Sequence, residues 1–75
     1  MVVRIKLMGM LKDKSPRDGQ LHLHDGGTIA DALEKLEIPA DSVQVFTING
    51  TLERDKSRVL VEDDDLTVLP PVGGG

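Results

Sequence analysis

The sequence predicts a small α+β domain in which one main helix packs on one face of a mixed sheet of four or five strands. Val3, Ile5 and Leu7 alternate with polar residues, which indicates a strand with one buried face. Apolar residues follow a helical period over residues 29–36. Short apolar segments separated by turn residues make up most of the second half. These periods predict strands on both sides of a single helix.

The first two strands are predicted to form a hairpin with a long loop. The polar segment 12–19 contains Pro16 and ends in the turn pair Asp18-Gly19. Leu21 and Leu23 then alternate with polar residues, as expected of a second strand with one buried face.

The predicted helix has a start signal and a stop signal. Thr28 is well placed as the N-cap, and Asp31 three residues later forms a weak relative of the capping box. Pro39 ends the helix nearby. The spacing i, i+3, i+4 and i+7 places four apolar residues on one helix face: Ile29, Ala32, Leu33 and Leu36.

The second half predicts two or three further strands. Over 43–48, apolar residues occupy both odd and even positions. This indicates a strand that is covered on both faces or crosses the edge of the core. Asn49-Gly50 predicts a tight hairpin turn, after which Leu52 pairs back. Residues 59–61 are a short strand or a turn, and 66–69 form the last strand. The order β-β-α-β-(β)-β is compatible with a β-grasp.

Composition excludes several classes of function. A chain of 75 residues with a net charge of -4 forms one domain and is poorly suited to bind nucleic acid. We find no apolar run of membrane-spanning length and no signal-peptide pattern, so we expect a cytoplasmic protein without a membrane partner. The chain has no cysteine. Disulfides, thiolate metal sites and cysteine nucleophiles are therefore excluded.

The sequence divides into a predicted β-grasp domain over residues 1–69 and a tail over residues 70–75 that we expect to be flexible. Pro70 and Pro71 restrict φ and direct the chain outward from the last strand. The glycines that follow let a backbone approach a partner's catalytic groups closely, and Val72 to Gly75 span about 13 to 14 Å when extended. The chain has no phosphate-binding loop, so a separate enzyme must activate its carboxylate.

The ending DDDLTVLPPVGGG resembles the C-terminus of the MoaD/ThiS family of ubiquitin-like sulfur carriers, and the MoaD branch most. The segments VRIKLMGMLKD and TINGTL are similar to the first strand and the later hairpin of that family. The loop after the first strand is shorter than in longer MoaD members, and Met8 and Met10 stand where aromatic residues are common. The resemblance covers the whole chain, and the tail is its specific motif.

The resemblance implies that an E1-like adenylating enzyme of the MoeB/ThiF type, using ATP and Mg, activates Gly75. A persulfide from a cysteine desulfurase or rhodanese then converts it to a thiocarboxylate. The molybdopterin synthase large subunit receives the tail in the MoaD branch, and thiazole synthase does so in the ThiS branch. The chain itself would bind no cofactor and would be a carrier substrate or the small subunit of molybdopterin synthase. The residues implied to contact these partners are Gly74, Gly73, Val72, Pro71 and Pro70.

Two other functions fit the same tail: a ubiquitin-like modifier joined to lysines through Gly75, and a β-grasp binding module with an inert tail. Among the remaining candidate sites, His22 and His24 are interpreted as a solvated strand surface rather than a metal site. Residues 63–65 are interpreted as a solvated acidic turn rather than a calcium loop. Met8 and Met10 are interpreted as core residues; the alternative is a Met exposed beside the tail that helps to dock partners.

Overall fold

Within the part of the chain that the structure describes, five strands form one mixed sheet and one α-helix packs on one of its faces. This computed structural model describes residues 1–70, except for the side chain of Met10. Two 3₁₀ helices, Gly9–Lys14 and Ala40–Ser42, lie in the connections. The other elements, in chain order, are β1 (Val2–Leu7), β2 (Gln20–His22), α1 (Ile29–Lys35), β3 (Phe46–Ile48), β4 (Thr51–Glu53) and β5 (Asp65–Val68).

The strands lie in the order β2-β1-β5-β3-β4. β1 and β5 pair in parallel, from Arg4 opposite Asp65 to Leu7 opposite Val68, and every other pair is antiparallel. Strands β1 and β5 therefore end side by side, at one end of the sheet, which we call the exit end. This is the β-grasp arrangement, and the predicted fold class is confirmed.

The core lies between α1 and one face of the sheet. Alternate residues of β1, including Val3 and Leu7, are buried there together with Leu66 and Val68 of β5. Phe46, the single aromatic residue, is fully buried in β3. From α1, the buried residues are Ile29, Ala32 and Leu33. The predicted apolar face of the helix is thus the face that packs on the sheet.

The start of α1 follows the prediction in full. The Thr28 hydroxyl accepts a hydrogen bond from the Asp31 backbone N–H at 3.2 Å, and the Asp31 carboxylate accepts one from the Thr28 N–H at 2.9 Å. These two bonds satisfy donors that a helix start would otherwise leave unpaired. The capping box that the sequence shows in a weak form is complete in the structure.

The helix ends earlier than Pro39 suggests. Glu37 adopts a left-handed backbone with φ 61°. Its N–H donates to the Glu34 carbonyl, and the Ile38 N–H donates to the Leu33 carbonyl at 2.9 Å. These are the two bonds of a Schellman motif, in which buried Ile38 packs beyond the last turn.

Neither α1 nor the 3₁₀ helices within residues 1–70 are long and apolar enough to cross a membrane.

Three other segments differ from the prediction. The predicted loop after β1 includes a 3₁₀ helix, Gly9–Lys14, which places Leu11 in the core. The strand predicted over 43–48 begins only at Phe46. Val43 lies before the strand and is buried in the core. Within 59–61 the one β-bridge joins Val59 to Thr28, so this segment does not form a strand.

Replacing Thr28 by Ala should remove one half of the capping box. We expect the free energy of unfolding to fall by about 1 kcal/mol, as is typical for loss of a helix N-cap side chain. Urea unfolding monitored by circular dichroism measures this change. Thr51→Ala is the control, because Thr51 is exposed in β4 and its hydroxyl donates to no described residue. Equal losses in the two variants would show that the cap contributes nothing.

The capping box should also make stability depend on pH. Hydrogen bonding from the Thr28 backbone lowers the pKa of Asp31 below its ordinary value of 3.8. A lowered carboxyl pKa stabilises the fold above the unfolded-state value and loses that effect as pH falls through the folded-state pKa. We therefore expect the urea midpoint of the natural protein to fall more steeply below pH 4 than that of Asp31→Asn. If the urea midpoints of the two proteins fall equally below pH 4, this role of Asp31 is contradicted.

Candidate functional site

The structure describes the base of the predicted site but not its tip. Pro70 is the last described residue and is half-buried. Gly75, Gly74, Gly73, Val72 and Pro71 lie outside the described residues, so their predicted roles stay predictions. The described residues nevertheless show where the tail leaves the sheet.

The chain leaves the sheet from its central strand. β5 has β1 on one side and β3 on the other. At the exit end, the Met8 N–H donates to the Val68 carbonyl at 3.3 Å, and the Leu69 N–H donates to the Val45 carbonyl at 3.2 Å. Hydrogen bonds from both neighbours therefore hold the backbone up to Leu69. Pro70 has no N–H and cannot continue the ladder.

The sheet face away from α1 is uncovered within residues 1–70, and we call it the open face. Lys6, Thr67, Thr47 and Leu52 lie across it in one row, because the register places each opposite the next. Leu52 is 56% exposed, and the two threonines are half-buried. The row is thus mostly uncharged, with Lys6 at one end.

A second row of the open face borders the exit. It consists of Met8, Leu69 and Val45, which continue the registers of β1, β5 and β3 by one pair. Met8 is 37% exposed, while Leu69 and Val45 are half-buried. The interpretation of Met8 as a core residue is therefore wrong, because Met8 is exposed at the exit end. Its part in docking stays a prediction, and the Met10 side chain lies outside the described residues. Sequence reasoning missed Val45, Thr47 and Thr67, which only the register of β3 and β5 brings together.

The acidic turn lies at the opposite end of the sheet. Its last residue, Asp65, is the first residue of β5, so the turn lies about 16 Å along the strand from Pro70. Asp64 is buried and accepts hydrogen bonds from the Asn49 side chain and the Val61 N–H, both at 2.9 Å. The interpretation of residues 63–65 as a solvated turn is therefore wrong for Asp64, whereas Asp63 and Asp65 are exposed. The Asp64 carboxylate connects the β3–β4 hairpin to the start of β5.

The histidines lie on the surface. His22 and His24 are exposed, and the His24 Nε2 atom lies 3.7 Å from the Asp31 carboxylate. Within residues 1–70, no group of three or more His, Cys, Asp or Glu side chains could hold a metal ion.

Two further carboxyl groups have shifted pKa values, and both have local structural causes. The Arg58 side chain, 3.0 Å away, and nearby backbone N–H groups lower the pKa of Glu53. The Ser57 hydroxyl and N–H lower the pKa of Asp55. Both carboxylates accept hydrogen bonds that shape the connection after β4. Turn formation accounts for these shifts without a catalytic role.

A β-grasp domain whose central strand leads into a Pro-Pro-Val-Gly-Gly-Gly sequence defines a ubiquitin-like protein. The chain matches the ThiS family over residues 5–75 and belongs to that family of ubiquitin-like sulfur carriers. Among solved structures, it is similar to SAMP1 from Haloferax volcanii, with a TM-score of 0.69, 19% identity and 100% of both chains covered.

A second similar structure is a protein-protein complex of subunits 1 and 2 of molybdopterin-converting factor from Helicobacter pylori 26695. The matched chain has a TM-score of 0.61 and 19% identity, with 100% of both chains covered. At these identities the two likenesses show the fold. Comparison with curated proteins gives no significant match.

Proposed function

We propose that this protein carries sulfur as a thiocarboxylate on Gly75 and donates it in molybdopterin biosynthesis. The observation that carries the proposal is the ThiS-family match, which extends through Gly75. The Pro-Pro-Val-x-Gly-Gly pattern, with Gly73 in the variable place, resembles the MoaD branch and favours molybdopterin over thiazole as the destination. The likeness to a chain of the molybdopterin-converting factor complex agrees with that branch.

The chemistry requires an external activating enzyme. A carboxylate oxygen of Gly75 would attack the α-phosphorus of ATP, bound with Mg by an E1-like enzyme, and pyrophosphate would leave. A persulfide sulfur from a desulfurase or rhodanese would then attack the acyl carbon and expel AMP. A thiol would reduce the resulting acyl disulfide to the thiocarboxylate. The chain contains no cysteine, so it can take no part in this sequence as a thiol.

The geometry at the exit supports a division of roles between tail and domain. Hydrogen bonds from both neighbouring strands hold the chain up to Leu69. Beside this point the apolar row of Met8, Leu69 and Val45 offers a surface that a partner can cover while it receives the tail. We propose that the E1-like enzyme and the molybdopterin synthase large subunit both dock on this part of the open face.

Charging should depend on a free carboxylate at Gly75. Incubation with a purified E1-like enzyme, Mg-ATP and a sulfur donor should increase the intact mass by the difference between one sulfur and one oxygen. A variant with one alanine appended after Gly75 should keep the natural unfolding midpoint and show no such increase. If the extended variant is charged at the natural rate, the proposal is wrong.

Docking on the open face should depend on Val45. We expect Val45→Lys to weaken binding to the E1-like enzyme about tenfold, equivalent to about 1.4 kcal/mol, because a charge would enter the apolar row. Val61→Lys is the matched control, since Val61 is 59% exposed at the other end of the sheet. Titration calorimetry measures both affinities. Equal affinities for the two variants would place docking elsewhere.

A further inference from the structure

The Pro70 ring lies against a backbone position that has no side chain. Gly9, the first residue of the 3₁₀ helix after β1, has φ 59°. A Cβ atom added at Gly9 would lie 3.1 Å from Pro70 Cγ and 3.6 Å from Pro70 Cβ. The first of these distances is shorter than a comfortable carbon-carbon contact. The ring thus occupies the space that a side chain at position 9 would need.

We propose that Gly9 is a positioning residue for the tail: together with Pro70 it fixes the direction in which the chain leaves the sheet. This inference rests on the proposed function, because it assigns Gly9 a part in presenting Gly75 to the activating enzyme. Gly9 touches none of the reacting atoms in this scheme. It acts through Pro70.

The contact lies where hydrogen bonding to the sheet ends. The Leu69 N–H is bonded to Val45, but Pro70 has no N–H to continue the pairing. On the β1 side, the Met8 N–H is bonded to the Val68 carbonyl, which fixes the distance between Gly9 and the end of β5. Packing of the Pro70 ring on Gly9 therefore adds a restraint one residue beyond the last backbone hydrogen bond.

A small change of direction at this point has a large effect at the reactive end. Five residues follow Pro70 up to and including Gly75, a length of about 17 Å if fully extended. When a partner holds the tail extended, a change of about 20° at the base displaces the end by about 6 Å. Misplacement of reacting groups by about 1 Å can reduce a rate about 100-fold. A restraint on direction at Pro70 therefore increases the fraction of encounters in which Gly75 is correctly placed.

The chain offers a matched control for the test. Gly26 also has a positive φ, 86°, but a Cβ added there meets nothing within 4 Å. Gly9→Ala and Gly26→Ala therefore share the strain of placing alanine in a left-handed backbone. Only Gly9→Ala also displaces the Pro70 ring.

The experiment compares charging of the full chain by the E1-like enzyme with Mg-ATP and sulfide. We expect kcat/KM for Gly9→Ala to be about tenfold below that of Gly26→Ala, with similar decreases in their unfolding midpoints. In the natural protein, nuclear Overhauser effects should connect the Gly9 Hα atoms with the Pro70 ring protons. Equal kcat/KM values for the two variants, or absence of these nuclear Overhauser effects, would overturn the inference.

A second substitution separates positioning from general damage. Pro70→Ala removes the Cγ atom, which makes the close contact, so it should relieve the clash in Gly9→Ala. The double variant should be charged no more slowly than the slower single variant, because both changes act on one contact. Multiplicative losses in the double variant would mean that Gly9 and Pro70 act independently, and the inference would fail.

These measurements distinguish failure of the proposed function from failure of the positioning role of Gly9. The natural protein could fail to be charged although the nuclear Overhauser effects between Gly9 and Pro70 are observed. In that case the proposal that Gly75 is thiocarboxylated is wrong, and Gly9 has no positioning role in that reaction. If the natural protein is charged and Gly9→Ala behaves as Gly26→Ala does, the proposed function stands and the positioning role alone is overturned.

Discussion

The parallel pairing of β1 with β5 is the constraint on which the rest of the structure depends. It brings the first and last strands of the domain together in the middle of the sheet, from Arg4 opposite Asp65 to Leu7 opposite Val68. Because parallel strands end at the same edge, the pairing also places the segment after β1 beside the segment after β5. The Met8 bond to Val68 and the contact between Gly9 and Pro70 both follow from that register.

The pairing also explains why so small a core is sufficient. β1 and β5 contribute buried residues to the same layer, and α1 covers that layer with Ile29, Ala32 and Leu33. Aliphatic side chains fill nearly all of the core, with Phe46 as its one aromatic residue. The interior of the domain is therefore mostly aliphatic. Asp64 and Asn49 strengthen the end of β5 opposite to the exit end.

Local signals in the sequence predicted local structure well. Thr28 and Asp31 form the capping box, the alternation of Val3, Ile5 and Leu7 marks the buried face of β1, and Asn49-Gly50 makes the β3–β4 turn. Each of these features depends on neighbouring residues, so a single sequence contains the necessary information. The order of these elements was compatible with a β-grasp, and the resemblance to the MoaD/ThiS family implied that class.

Features that depend on distant contacts were missed. The exposure of Met8 follows from its place on the open face, which requires the pairing of strands more than 50 residues apart. Burial of Asp64 depends on Asn49. The helix ends at Lys35, and the left-handed Glu37 that follows lets Ile38 pack in the core. Of the candidate site, the sequence predicted the tail, whereas the open face and the close approach of Gly9 to Pro70 required the register of the sheet.

Amide hydrogen exchange at Leu69 tests most directly whether the sheet holds the base of the tail. Its N–H is bonded to the Val45 carbonyl, one residue beyond β5 and directly before Pro70. The account predicts that this amide exchanges at a rate close to that of the Leu66 amide inside β5. Exchange at the rate of an unstructured peptide would contradict the account, because the chain would then leave the sheet before it reaches Gly9.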